Sequence, residues 1–182
     1  MLKVHIGILS LAVAAALGAR TPAGPAQKLA PFISTPEDVV ERMLAFAGVT
    51  RTDVVYDLGC GDGRIPIAAA KKYGARGVGL DIDPALVARA RENAKAAAVD
   101  SLVNFRVEDV LTADVSEATV VTLYLLTSSN ERLRPMLQRQ LKPGARIVSH
   151  AFSMGRDWPA DKVDQFVSAR GDEVTLYLWR VK

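Results

Sequence analysis

The sequence predicts an α/β fold built on a doubly wound, mostly parallel sheet, and three observations carry that expectation. Strand-length apolar runs alternate with helical patterns from residue 53 to residue 152. The first run, Asp53 to Leu58, is apolar on both faces, as a strand inside a parallel sheet is. The last two runs are joined only by Arg170-Gly171-Asp172, a tight connection that implies an antiparallel hairpin. The count is seven strands, with the last one antiparallel.

Each element has its own signal. Thr35-Pro36-Glu37-Asp38 reads as a helix start, with a capping residue, a proline at the first helical position and acids in the first turn. Val39, Val40, Met43, Leu44 and Ala47 follow at helical spacing until Gly48 stops the run. The preceding Pro31-Phe32-Ile33-Ser34 is either a stiff lead-in or a lid. After the first strand, Arg64 to Tyr73 is a crossover helix that tolerates Pro66 only in its first turn. Gly77 to Asp83 holds the second strand and its end, and Asp83 caps a helix that Pro84 begins and Ala98 ends. Leu102 to Val107 is the third strand, and Ala118 to Leu126 the fourth, β-branched at its start. Thr127-Ser128-Ser129-Asn130 reads as a polar break and cap before a helix from Glu131 to Leu141, with Pro135 in its first turns. Lys142-Pro143-Gly144 is a turn, Ala145 to Phe152 the fifth strand, and Val163 to Ala169 and Glu173 to Val181 the closing hairpin.

Composition narrows the function classes. With 182 residues, 49% hydrophobic and 24% charged, the chain supports one domain with a real core. A formal net charge of +3, without a basic run interleaved with aromatics, does not argue for a nucleic-acid surface. Cys60 is the sole cysteine, so no intrachain disulfide forms. His5 and His150 are the only histidines, and no Cys/His cluster has zinc spacing.

The chemistry concentrates in Asp57-Leu58-Gly59-Cys60-Gly61-Asp62-Gly63-Arg64, between the first strand and its crossover helix. Such a corner brings backbone and a helix N-terminus close to a ligand. The dinucleotide pattern G-x-G-x-x-G does not fit, because Arg64 stands where its third glycine belongs. Asp57 before the turn repels a diphosphate and welcomes an ammonium. The pattern suits a cofactor with an amino-acid end, such as S-adenosylmethionine. Asp81, about two dozen residues on, sits where a strand-end acid accepts ribose hydroxyls. Asp109, past the third strand, is placed to accept from an adenine amino group, or is a plain loop residue.

Residues 1–19 read as a targeting element. Lys3 precedes an apolar run from Val4 to Ala19, which suits a signal peptide better than a full membrane span. A cleaved signal, an uncleaved anchor and a start codon placed too early compete. The first two imply a membrane-anchored or exported, periplasmic domain, and the third a cytoplasmic one. A cleaved signal would separate the domain from cofactor made in the cytoplasm. Residues 20–30 form an Ala/Pro/Gly linker.

From residue 31 to residue 182 the sequence resembles the class I S-adenosylmethionine-dependent methyltransferases, whose Rossmann-like seven-stranded sheet has an antiparallel last strand. The glycine turn, Asp57, Asp81 and Asp109 fall where that family's cofactor motifs fall. A narrower resemblance is to the small lysine methyltransferases related to the ATP synthase c-subunit enzyme. It rests on Pro31-Phe32-Ile33-Ser34-Thr35-Pro36, on Asp57 to Arg64, on Thr122-Leu123-Tyr124-Leu125-Leu126, on Leu141 to Gly144 and on Val148-Ser149-His150. Ser34 and Thr127 stand where that group usually has proline, and Asp81 where it has glutamate. The resemblance implies S-adenosylmethionine as cofactor, with Phe32, Thr35, Asp57, Gly59, Cys60, Gly61, Gly63, Asp81, Ile82, Asp109 and Val110 around it. It implies Tyr124 as the residue that positions the acceptor, a protein lysine amine. Ordinary packing is the alternative for Tyr124, as a satisfied strand-end residue is for His150. A small-molecule or RNA acceptor, or an exported non-enzymatic module, are the competing readings. No metal is expected.

Overall fold

The structure, a computed structural model, describes residues 29–182. The leader and most of the linker inferred from the sequence lie outside the described residues. Seven strands form one sheet: β1 (Val54–Leu58), β2 (Arg76–Asp81), β3 (Val103–Val107), β4 (Val120–Leu123), β5 (Arg146–His150), β6 (Lys162–Val167) and β7 (Glu173–Arg180). Their order is β3-β2-β1-β4-β5-β7-β6. β1 to β5 run parallel, and β7 runs antiparallel to both β5 and β6. The seven-stranded, mostly parallel expectation with an antiparallel last strand holds.

Four helices cover the sheet: α1 (Glu37–Phe46), α2 (Arg64–Tyr73), α3 (Pro84–Ala96) and α4 (Thr127–Gln140). α1 and α2 bury Val39, Val40, Met43, Leu44, Ile65 and Ala69 against Val55, Val120, Val148 and Leu176 on one face. α4 packs Leu133, Met136 and Leu137 on the other face, against Tyr56, Val121, Leu123 and Ile147. Each such fully buried aliphatic side chain stabilises the fold by roughly 1.5–3 kcal/mol. The strand–helix alternation is incomplete, because β3–β4 and β5–β6 are joined by irregular chain. There Val110, Ala113 and Val115, and then Met154 and Trp158, cover the α4 face in place of helices. Trp179 is fully buried, and its Nε1 donates to the Trp158 carbonyl at 2.9 Å.

Strands β2 and β3 lie on one side of β1, and β4 and β5 on the other. The carboxyl ends of β1 and β4 therefore open at the reversal of strand order, where doubly wound sheets bind ligands.

Several local expectations need correction. Pro36 occupies the N-cap of α1 and not its first helical position, and no side chain caps that end. Thr35 instead turns inward, 4% exposed. β4 stops at Leu123, so Tyr124 and Leu125 are free of the ladder to reach the cleft. The break read at Thr127 to Asn130 is the first turn of α4. Tertiary partners explain it: the Ser129 hydroxyl donates to the Leu29 carbonyl at 2.8 Å, and Asn130 is fully buried. Pro135 consequently lies well inside the helix.

Candidate cofactor and acceptor site

The cleft begins with the residues after β1. The N–H groups of Gly59 and Cys60 donate to the Leu80 carbonyl at 2.8 and 2.9 Å, which curls the chain over the end of β2. Gly59 and Gly61 hold φ of 86° and 53°, where a side chain is strained. A Cβ on Gly61 would meet the Phe32 ring at 2.3 Å. The missing side chains make room for Phe32 and Leu125, and both glycines line the cleft. The Asn93 amide donates to the Asp62 carbonyl at 2.9 Å and ties the turn to α3.

Three acids crowd this turn, each with different partners. Asp62 pairs bidentately with Arg64, at 2.9 and 2.6 Å. Burial pushes its carboxyl up, but the Arg64 guanidinium outweighs burial and holds it below the ordinary range. Asp81 accepts from the Gly61 N–H at 2.9 Å through one oxygen and from the Asp83 N–H at 3.0 Å through the other. Each of its oxygens keeps a lone pair for a ligand hydroxyl.

Asp57 differs. It is 4% exposed, and its one hydrogen bond among the described residues comes from the Thr122 hydroxyl, at 2.6 Å to Oδ1. Among the described residues no cation pairs with it. Burial, reinforced by the charges of Asp81 and Asp62, pushes its carboxyl up to about 7. A buried carboxylate lacking a counter-ion is costly, and a ligand ammonium would remove that cost.

The cleft is lined by Asp57, Gly59, Cys60, Gly61, Asp81 and Ile82, with Asp109 and Val110 beyond them. Phe32 and Thr35 line it from the strap before α1, and Tyr124 and Leu125 from the end of β4. Of the sequence-derived set only Gly63 does not line it. With φ of 79°, Gly63 caps α2, and a Cβ there would meet Phe105 at 2.7 Å and Ala90 at 2.8 Å. Its role is packing against β3 and α3. Cys60 lines the cleft, while its thiol sits in the apolar cluster around Phe105, where burial pushes it well up.

Some lining residues are not among the site residues expected from the sequence. Leu86, Glu108 and Leu125 reach the cleft from α3 and from the ends of β3 and β4. Arg64 also donates to the Thr35 carbonyl at 2.7 Å, and so pins the strap that carries Phe32. Thr122 reads in the sequence as one more β-branched strand residue.

Beyond Tyr124 lies an aromatic wall. The Tyr124 and His150 ring centroids are 4.0 Å apart, and Tyr124 and Phe152 stack at 6.3 Å. His150 is buried, its Nδ1 has no hydrogen-bond partner among the described residues, and burial lowers its pKa to about 4. The imidazole is therefore neutral near pH 7. Asn130 Nδ2 reaches the Ser149 hydroxyl and the Phe152 and Ser153 carbonyls at 3.1 to 3.3 Å. The Ser149 hydroxyl itself donates to the Phe152 carbonyl at 2.6 Å. These bonds hold the turn at Ala151, whose φ is 64°.

An acid with no counter-ion, a glycine turn free of side chains and an acid with open lone pairs suit the amino-acid, linker and ribose parts of S-adenosylmethionine. Residues 57–162 match the ANTKMT methyltransferase domain family. The chain belongs to that family. It is an S-adenosylmethionine-dependent methyltransferase. A protein-lysine N-methyltransferase of Saccharolobus islandicus is 46% identical over 150 residues, 82% of this chain and 92% of that protein. The human ATP synthase c-subunit lysine N-methyltransferase is 31% identical over 73% of this chain, and the match spans 56% of that longer protein. A solved structure described as an RNA methyltransferase, from Salinibacter ruber with S-adenosyl-L-homocysteine, is 56% identical. It covers 82% of this chain and 94% of that one, with a TM-score of 0.76. The Salinibacter ruber structure shares the fold and holds S-adenosyl-L-homocysteine, while the acceptors in the three names differ.

Proposed function

We propose that this methyltransferase modifies a lysine side chain of a protein. The observation that carries the reading is the 46% identity to a protein-lysine N-methyltransferase across nearly that protein's full length. The acceptor side of the cleft supports it chemically. A lysine brings an apolar stem and an amine that must arrive without its proton. Tyr124, Leu125 and Phe152 offer apolar and aromatic surface, and the neutral His150 ring adds no charge to it. Low polarity favours the uncharged amine.

Bound S-adenosylmethionine supplies an already activated methyl on a sulfonium. The protein's own residues then have to bind, orient and exclude water. In this reading Asp57 takes the cofactor's ammonium, and Gly59, Cys60 and Gly61 offer close backbone. Asp81 takes the ribose hydroxyls, and Asp109 takes the adenine amino group between Ile82 and Val110. Phe32 and Thr35 close the cleft from the strap, and Tyr124 aligns the amine. An RNA acceptor is the second reading, favoured by the similarity to the Salinibacter ruber RNA methyltransferase. A base would use the same aromatic wall by stacking.

Methyl-tritiated cofactor, offered with a cell extract, separates the two. The lysine reading expects label that is lost to protease, survives nuclease and hydrolyses to methyl-lysine. Label lost to nuclease alone contradicts it. The apolar residues 4–19 are proposed to hold the domain at a membrane as an uncleaved anchor, a cleaved export signal and a start codon placed too early being the alternatives. Fractionation of the full chain beside one starting at Lys28 tests this, and equal partition to the soluble fraction contradicts it.

A further inference from the structure

Thr122 is buried to 0% exposure in the middle of β4, directly opposite Asp57 in the parallel ladder. Its hydroxyl lies 2.6 Å from Asp57 Oδ1 and 3.4 Å from the Tyr56 carbonyl. A hydroxyl has one proton to donate and lone pairs to accept with. Facing a charged Asp57, it donates to the carboxylate. Facing a protonated Asp57, it accepts from the carboxyl and turns its own proton to the Tyr56 carbonyl. Both arrangements leave the hydroxyl and Oδ1 paired, with no movement of heavy atoms. A residue that only donates or only accepts could not serve both.

We propose that Thr122 is a positioning residue for the cofactor's amino group, holding the Asp57 carboxyl in one orientation through both of its protonation states. This rests on the assignment of that amino group to Asp57. Without ligand and below about pH 7 the carboxyl keeps its proton, and the Asp57–Thr122 pair stays neutral. As the ammonium arrives, the proton leaves for solvent, Thr122 reverses its hydrogen bond, and the carboxylate meets the cation. Oδ2, without a partner among the described residues, is the oxygen left for the ligand.

The surrounding charges fit this. Asp62 and Asp81 raise the Asp57 carboxyl, and the Arg64 guanidinium is taken up by Asp62 and the Thr35 carbonyl. Glu108 and Asp109 add acid on the β3 side of the cleft, and the Cys60 thiol remains neutral. Among the described residues no cation on β2, β4 or the glycine turn relieves Asp57, so the ligand has to.

Calorimetric titration of S-adenosylhomocysteine between about pH 5.5 and 8.5 tests the proposal, because a proton lost on binding makes affinity rise with pH until the group is ionised. The wild type is expected to gain affinity up to about pH 7 and then level, releasing a proton fraction visible in buffers of different ionisation heat. Thr122→Val keeps the volume and removes the hydroxyl. It is expected to bind about tenfold more weakly at high pH, the loss of one hydrogen bond to a charged group. Its midpoint is expected to move upward, since the charged form loses its donor. Thr122→Ser should restore both, and Thr122→Ala should repeat the loss if the valine variant does not fold. A folded valine or alanine variant with wild-type affinity and midpoint overturns the proposal. Asp57→Asn separates the two levels. If it binds like wild type, the assignment of Asp57 itself fails; if it loses binding while Thr122→Val does not, only the role of Thr122 fails.

Discussion

The two halves of the cleft are built by different means. The cofactor half, around the ends of β1 and β2, is held by backbone N–H groups: those of Gly59 and Cys60 donate to the Leu80 carbonyl, and those of Gly61 and Asp83 to the Asp81 carboxylate. The acceptor half, at the ends of β4 and β5, is held by buried side chains that clamp irregular chain: Asn130 and Ser149 on the Phe152 and Ser153 carbonyls. The first half is a backbone frame whose acids, in the proposed reading, take a cation and hydroxyls. The second is a replaceable wall on a common frame. Similar proteins are named for different acceptors, a lysine and an RNA.

The largest effect should come from breaking the cofactor half at Asp57. Asp57→Ala should weaken cofactor binding about 100-fold or more, the scale of leaving a buried ammonium unpaired. The same variant should leave the fold intact, because it removes a buried acid without a counter-ion. Titration calorimetry and thermal unfolding read the two together, and near-normal affinity would break the contrast between the halves.

Asn130→Ala attacks the other half. It removes a donor from the part-buried Phe152 and Ser153 carbonyls, of which Phe152 keeps the Ser149 hydroxyl, and should cost about 1–2 kcal/mol of stability. Acceptor turnover should fall well beyond any change in cofactor affinity, which should stay within about threefold. Equal losses in both would show that the halves are one unit.

Gly61→Ala tests the glycine turn more gently. Its positive φ costs about 1–2 kcal/mol with a side chain, and the new Cβ meets the Phe32 ring. Cofactor affinity should fall about tenfold. In a Phe32→Ala background, taken as its own reference, Gly61→Ala should cost only the part due to φ.

Two opposed pH slopes in the stability of the ligand-free protein partly cancel, so the net change in the wild type is small. Asp57 has its folded pKa raised from 3.8 to about 7, so the folded state holds the extra proton in that window. Its contribution to stability is lost as pH rises from about 4 to about 7. His150 has its folded pKa lowered from 6.5 to about 4, so the unfolded state holds the extra proton. Its contribution is gained as pH rises from about 4 to about 6.5. Asp57→Asn should remove the fall and His150→Gln the rise, each seen in melting temperature against pH.

The contrast also explains what was legible in the sequence. Asp57, the glycine turn and Asp81 lie within one strand–helix–strand unit, so local spacing shows their geometry. Gly63 shares the pattern but not the role, because its direction depends on Phe105, far along the chain on β3. Thr127 to Asn130 read as a break because serine and asparagine are poor helix formers. Their burial against Leu29, Ser149 and Phe152 reverses that preference, and those partners are remote in sequence. Thr122 is the sharpest case. Its β-branching announced a strand, while its chemistry depends on an acid 65 positions away.

The central claim is that Asp57 reads the amino group of the cofactor. A binding cycle addresses it most directly: wild type and Asp57→Asn, each titrated with S-adenosylhomocysteine and with its analogue lacking the amino group. The wild type is expected to prefer the amino form by about 100-fold, and the variant to bind both forms alike. An Asp57→Asn protein that keeps the full preference would contradict it.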